Sequence, residues 1–348
     1  MTAGAGMPVV VVGAGVVGAS VAYHLARRGV EVTLLDREPS PAAGVTGGSF
    51  AWIGGLGGDW PGGARDLREL VLADHRRLES ELPDVVVRRS GSLTWGGDTE
   101  GPLGEGRFEV GPEAIRALEP RLRTPPERAV HTPSDRGVDP VPFTTALVRA
   151  ACARGARAVF GATVTALRTV GGRVEGVLSS AGYHPASTVV LAAGTEVARL
   201  AEPLGVDLPV ATSPACLVRL TAPPGLVRTV VACPGFEVRE VRDGHVLMTV
   251  PVDGTAPERR ALGHLRSAFT GADDCRVLEC RVSARPMPAG GPLLGHVAPG
   301  VYVTVTHSAV TLAPTVGRLV AAEIATGEPA QELRRCRPRG LPPDSWTT

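Results

Sequence analysis

The stretch Pro8 to Glu38, PVVVVGAGVVGASVAYHLARRGVEVTLLDRE, constrains this chain more than any other. Val9–Val12 is a short all-apolar run of β-branched residues, the pattern of a strand buried on both faces. It breaks into Gly13-Ala14-Gly15-Val16-Val17-Gly18, a G-x-G-x-x-G fingerprint. Gly13 permits the tight turn, Gly15 lets backbone approach a diphosphate, and Gly18 lets the next helix lie close to the strand. The spacing predicts a helix over about 16–28, closed by Gly29, and then a second strand over 31–35. That strand ends at Asp36, whose carboxylate can accept both hydroxyls of a ribose, with Arg37 beside it. The diphosphate would sit at the helix N-terminus, near Val16 and Val17, on free N–H groups and the positive end of the dipole. Strand, fingerprint, helix, strand and acid in this order imply a bound dinucleotide; the alternative is a Gly-rich βαβ unit with nothing in its crevice.

At 348 residues the chain has room for two domains, or for one large domain with an insertion. Hydrophobic content of 43% and charged content of 20% are those of an ordinary globular protein, and a net charge of +1 gives no electrostatic reason to expect nucleic acid or a membrane surface as partner. All 36 basic residues are arginine, and neither lysine nor asparagine occurs, as in the product of a very GC-rich bacterial coding sequence. No mechanism here can use a lysine as Schiff base, general base or oxygen-activating cation. The N-terminus lacks a basic n-region, and no run approaches about 18 uninterrupted apolar residues, so neither a signal peptide nor a transmembrane helix is expected. The six cysteines show no C-x-x-C or Cys/His ligand spacing, which implies reduced thiols, a cytoplasmic location and no metal centre.

Along the rest of the chain, Met1–Met7 reads as a disordered leader. Residues 39–63 form a glycine-rich loop containing Thr46-Gly47-Gly48-Ser49, suited to wrapping a flat ring. An amphipathic helix is expected over 66–82, strands of a different sheet over 85–87 and 92–95, a short helix over 111–118, and a Pro-rich crossing over 120–133. A helix over 142–154 precedes strands at 158–160, 163–169, 173–178 and 189–192, the last running into Ala193-Gly194. From 208 to 281 strands alternate with short turns around one helix, 257–269. A final buried strand, 301–305, leads through Thr306-His307-Ser308 into a helix over 312–325, and the last twenty residues read as a tail. One sheet therefore starts at Val9, resumes near Ala158 and Val189, and finishes at Val301. The fold class expected is α/β: a Rossmann-like dinucleotide-binding domain (1–80, 134–207, 282–335), an inserted, mainly antiparallel substrate-binding domain (81–133, 208–281), and a tail (336–348). An NAD-type domain would be contiguous, so the interruption favours a flavin dinucleotide.

Several motifs in order resemble the glycine oxidase/D-amino-acid oxidase family of FAD enzymes, which includes sarcosine oxidase. They are the opening fingerprint with Asp36, Gly137-Val138-Asp139-Pro140, Val189–Gly194, Leu208-Pro209-Val210, Arg285-Pro286 with Gly290-Gly291-Pro292 and Gly295, and Thr306-His307-Ser308 with Thr311-Leu312-Ala313-Pro314 and Gly317-Arg318. The resemblance implies non-covalent FAD held by Gly13, Gly15, Val16, Val17, Gly18, Asp36, Arg37, Thr46, Gly47, Gly48, Ser49, Val164 at the adenine, Ala193, Gly194, Arg285, Ser308, Thr311 and Leu312. The helix near Leu312 would aim its N-terminus at the flavin pyrimidine, where its dipole favours the reduced anion. Arg285 matches the arginine that grips the substrate carboxylate, and His307 reads either as a helix-start residue or as catalytic.

The chain also departs from the family pattern. The tyrosine often placed beside the carboxylate is replaced by Phe236 or Glu237, Leu208-Pro209-Val210 continues as Ala211-Thr212-Ser213-Pro214, and Cys280 is no match for a flavin-anchoring cysteine. The activity implied is FAD-dependent amine oxidation: cleavage of the C–N bond of an amino acid or N-carboxymethyl amine, with O2 as acceptor and Arg239 or another arginine holding a second acidic group. The alternatives are an ordinary glycine or D-amino-acid oxidase, a dehydrogenase with another electron acceptor, and a dinucleotide-binding protein without catalysis.

Overall fold

A computed structural model describes residues 8–96, 103–252 and 256–338; the leader Met1–Met7 and the tail beyond 338 lie outside the described residues. The apolar runs assemble first. Val9–Val12, Val32–Leu35, Arg157–Val159, Thr188–Leu191 and Val301–Val305 lie parallel in one sheet, and Leu293–Ala298 closes an edge antiparallel. Successive side chains of a strand face opposite ways. Val9 and Val11 accordingly join the helices Val16–Arg27, Ala64–Glu81, Pro140–Cys152 and Ala309–Thr326 in one core. Val10 and Val12 join a second core, under a three-stranded sheet, Val164–Val170, Arg173–Ser179 and Gly182–Pro185, and the helix Val197–Ala201. The result is a three-layer unit with its dinucleotide fingerprint at the C-terminal end of the strand Val9–Val12.

Small residues set the spacing of these layers. A Cβ on Gly18 would run into the Gly13 carbonyl, and one on Gly317 into the Ser20 hydroxyl. Ser20 Oγ instead donates to the Ala313 carbonyl at 2.7 Å, binding the first helix to the last. The helix Ala309–Thr326 is long and apolar enough to cross a bilayer, but 67% of it is buried in the protein and it carries Arg318 and Glu323. Arg318 forks onto both carboxylate oxygens of Asp74 at 2.9 Å.

The inserted strands form an eight-stranded sheet in the order Arg276–Pro288, Val210–Thr221, His245–Val250, Phe236–Arg242, Val230–Cys233, Ser92–Thr94, Ala129–Thr132, Phe108–Val110. All neighbours are antiparallel except Val230–Cys233 with Ser92–Thr94. One face packs on the helix Pro257–Ala268; the other packs Leu217, Val230, Val241 and Leu247 against Phe50 of the loop after the fingerprint.

Five features differ from the sequence-based expectations. Arg276–Pro288 is one continuous strand paired with Val210–Thr221 along its length, so no boundary falls at 281/282 and Arg285 lies on the antiparallel sheet. The Pro-rich crossing contains the strand Ala129–Thr132, and Val87–Arg88 joins a small sheet with Trp52–Ile53 and Arg136–Val138 rather than the large one. The last helix begins at Ala309, because Ser308, with φ 58°, turns the chain into it three residues before Leu312. The tail does not start at 336: Leu333 and Cys336 are buried, and Arg337 pairs with Glu323 at the end of the last helix.

Candidate active site

A cavity of about 450 Å³ runs from the fingerprint along the end of the parallel sheet to the N-terminus of Ala309–Thr326. Ten of the expected cofactor residues line it: Gly13, Gly15, Val16, Val17, Asp36, Arg37, Thr46, Val164, Ala193 and Gly194. Gly13 has φ 109°, and a Cβ there would strike the Ala192 carbonyl, so only glycine makes this turn. The Val16 N–H at the helix start goes to Thr46 Oγ1 at 3.1 Å, which leaves the Thr46 hydroxyl proton available to a phosphate oxygen. Asp36 accepts the N–H of Ala14 at 2.5 Å and of Glu38 at 2.8 Å, fixing its carboxylate at the ribose end. Glycine floor, helix N-terminus, hydroxyl and carboxylate in this order fit a dinucleotide diphosphate and its adenosine ribose.

Gly18, Gly47, Gly48, Ser49, Arg285, Ser308, Thr311 and Leu312 are not among the residues that line this cavity. Gly18 is a packing glycine. Gly47 and Gly48 bring the loop against the strand Arg276–Pro288: a Cβ on Gly47 would strike the Ala42 carbonyl, and one on Gly48 would meet Ser283 Oγ at 2.5 Å. Ser49 Oγ accepts the Ala51 N–H at 3.1 Å. Ala42 and Ala51 bracket this loop in the left-handed region, at φ 59° and 53°, where residues other than glycine are strained. Thr311 Oγ1 donates to the Trp52 carbonyl at 2.9 Å and Leu312 is buried, so both hold the helix start rather than face the cavity. The helix N-terminus itself reaches the cavity through Thr304, Val305, Thr306 and Ala309. Sequence reasoning missed Arg281, which lines the same cavity and donates to the Ala43 carbonyl; its place follows from strand register, which no local motif announces.

Beyond the cavity, one face of the large sheet carries the substrate-side candidates. Register pairs Arg285 with Ser213, Arg281 with Leu217, Leu217 with Thr249, and Thr249 with Glu237. Alternation puts Arg281, Ser283, Arg285, Ser213, Thr249, Glu237 and Arg239 on the face turned to the dinucleotide unit. Arg285 Nη2 donates to Ser213 Oγ at 3.0 Å, while its buried Nε has no partner. Glu237 Oε2 accepts the Thr249 hydroxyl at 3.0 Å. Burial raises the Glu237 pKa, and the Thr249 bond and the Arg285 charge oppose that rise. His307 is exposed; partial burial by protein atoms and then the Arg285 charge lower its pKa, which favours the neutral imidazole.

Arg239, expected to hold a second acidic group, is buried instead of open on the sheet face. It is 2% exposed, donates Nε to the Phe50 carbonyl at 2.8 Å and Nη2 to the Val138 carbonyl at 2.6 Å, keeps a buried Nη1 without a partner, and stacks 5.3 Å from the Phe50 ring centre. Burial lowers its pKa to about 9, and Asp139 offsets part of that. It clamps the ring-wrapping loop onto the large sheet. Among the described residues no group of three or more His, Cys, Asp or Glu side chains is placed to hold a metal.

Comparison with known proteins gives a consistent picture. Residues 8–323 match the profile of the family described as FAD dependent oxidoreductase, DAO. A protein named D-amino acid dehydrogenase from Bradyrhizobium diazoefficiens is 28% identical, over 83% of this chain and 87% of its own. Iminodiacetate oxidase from Chelativorans sp. BNC1 superposes with a TM-score of 0.79 at 25% identity, covering 95% of this chain and 98% of that one. Glycine oxidase from Geobacillus kaustophilus superposes with a TM-score of 0.85 at 21% identity, covering 97% and 100%, and shows a shared fold.

Proposed function

The chain belongs to the DAO family of FAD-dependent oxidoreductases, which act on amino acid C–N bonds, and from that premise we propose that it oxidises a small α-amino acid whose carboxylate is held by Arg285. The observation that carries this reading is the state of Arg285. It lies on the sheet face turned to the FAD cavity, is oriented by Ser213, and keeps a buried Nε without a partner. A guanidinium fork held at one nitrogen and free at another is preset for a carboxylate, and one such pair fixes both position and orientation. FAD, when bound, supplies the hydride acceptor for the substrate carbon. The protein's part is to hold the Cα–H bond against the cofactor and to keep its own imidazole, His307, uncharged beside Arg285. The N-terminus of Ala309–Thr326 places partial positive charge at the flavin end of the cavity, which favours a reduced, anionic cofactor. FAD is held non-covalently in this reading, since Cys280 alternates away from Arg281 and sits 3.6 Å from Cys216 Sγ.

The finer substrate reading is an N-substituted glycine, oxidised at its methylene to release glyoxylate and the amine. The likeness to iminodiacetate oxidase supports oxidation of an N-substituted glycine; of the arginines expected to hold a second acidic group, Arg239 is buried against backbone carbonyls. The acceptor is O2 or another oxidant, and the curated relative named a dehydrogenase makes both worth testing. The purified chain should be yellow, and its flavin absorbance should bleach under nitrogen on addition of an amino acid. Re-admitting air then separates the acceptors: rapid return of colour with H2O2 marks an oxidase, and slow return a dehydrogenase. A panel of glycine, N-alkylglycines and D- and L-alanine that bleaches nothing would overturn the reading.

A further inference from the structure

We propose that Glu237 binds the substrate nitrogen as it arrives protonated and takes the proton that must leave before hydride departs from Cα, so that the site selects a carboxylate and an ammonium together and rejects substrates with a second acidic group. The inference rests on the amino acid reading of Arg285 above and narrows it. Two long side chains project from the same sheet face: Arg285 from Arg276–Pro288 and Glu237 from Phe236–Arg242, with Val210–Thr221 and His245–Val250 between them. The intervening strands supply the hydroxyls that hold them, Ser213 for Arg285 and Thr249 for Glu237. Each is anchored at one atom and leaves another unused, Arg285 Nε and Glu237 Oε1. The two charges sense one another, as the effect of Arg285 on Glu237 shows, yet form no direct ion pair.

A pair of opposite charges on one sheet face that do not touch is complementary to a zwitterion set between them. A dicarboxylate would put its second acid against Glu237, and like charges at close quarters in a partly dry site are strongly unfavourable. The lowered pKa of His307 keeps it from supplying a charge, Arg239 is buried with two nitrogens on backbone carbonyls, and Arg281 is drawn to the Ala43 carbonyl, so none of them is set to offset a carboxylate placed against Glu237. The substrate class that follows is a monocarboxylic α-amino acid, or an N-substituted glycine with a neutral or cationic substituent.

The test uses the FAD-loaded enzyme and two probes that differ only in whether Cα carries an ammonium group or a hydrogen. α-Aminoisobutyrate carries carboxylate and ammonium but no Cα hydrogen, so it cannot be oxidised; isobutyrate carries the carboxylate alone. Their Kd values are read from perturbation of the flavin absorbance. In the native chain α-aminoisobutyrate should bind roughly tenfold or more tighter than isobutyrate, as expected for a charge-assisted hydrogen bond. Glu237→Gln keeps the Thr249 bond and the side-chain volume, and should bring the two Kd values together while leaving that of isobutyrate within about twofold. Glu237→Asp, which keeps the charge, should retain part of the preference. An unchanged preference in Glu237→Gln, with isobutyrate binding still lost in Arg285→Met, would overturn the role of Glu237 and leave the Arg285 reading standing. Binding of both probes that is indifferent to Arg285→Met would overturn both.

Discussion

Arg285 sits opposite Ser213 because two long strands pair in a register that an ordinary hydroxyl then exploits. Replacing it with alanine should leave the FAD spectrum intact and cost about 3 kcal/mol in kcat/KM, roughly a hundredfold, since a substrate carboxylate then lacks its charged partner. Arg285→Lys should rescue poorly, because an ammonium cannot reproduce the fork; steady-state kinetics with the best substrate checks both. Arg285 was legible in the sequence through the Arg-Pro…Gly-Gly-Pro run around it. Glu237 was legible only as a departure, a carboxylate where a phenol is usual. Arg239 was misread for a physical reason. A charged residue on the right face of the right strand looks like a ligand, and only the packing of Phe50 over it shows that it is buried with two of its nitrogens bonded to backbone carbonyls. Ala42 and Ala51, both left-handed, gave no sequence signal, since alanine does not advertise positive φ.

At the scale of elements, buried parallel strands and glycine-closed helices were readable because continuous apolar runs and positive-φ glycines have one physical meaning each. Val9–Val12, Thr188–Leu191 and Val301–Val305 are where they were expected. Short strands such as Ala129–Thr132 were not readable, because their pairing partners, not their composition, make them strands. The helix-to-strand fit at the fingerprint yields a prediction. A Cβ on Gly15 would already stand 3.1 Å from Thr46 Oγ1, so the branched side chain of Gly15→Val would fill the diphosphate's approach. The variant should fold and purify colourless; full FAD occupancy, measured by absorbance after denaturation, would show that the fingerprint is not the binding loop. Gly317→Ala tests the opposite kind of glycine. Its methyl would collide with the Ser20 hydroxyl and approach Ser20 backbone carbon to 2.8 Å. Overpacking of this kind costs about 1–3 kcal/mol, so a lowered Tm with unchanged kcat is expected.

The whole molecule joins a discontinuous dinucleotide unit to a large sheet that leans on it through Phe50, and buried polar ties hold the seam. His75 is one of the ties inside the unit: its Nε2–H donates to the Thr311 carbonyl at 2.9 Å, and burial lowers its pKa to about 4. The unfolded chain binds that proton near pH 6.5 and the folded chain does not. Between about pH 6.5 and 4 the unfolded state therefore holds more protons at this site, and stability falls as the pH drops. His75→Gln keeps an N–H for Thr311 and removes the titration, so the Tm advantage of the native chain over it should shrink from pH 7 to pH 4.5. An advantage that grew on acidification would reverse the assignment. The order of sheets and the return of the chain to its first sheet were visible in the sequence; the position of Arg276–Pro288 was not, because one strand serves both units.

The most direct measurement is anaerobic reduction of the FAD-loaded chain by a small amino acid, followed at the flavin absorbance band, in the native chain and in Arg285→Ala side by side. The expected result is saturable bleaching in the native chain and, in Arg285→Ala, full FAD occupancy with bleaching that no longer saturates at accessible substrate concentrations. Bleaching with the same concentration dependence in both chains, or in neither, would contradict amino acid oxidation directed by Arg285.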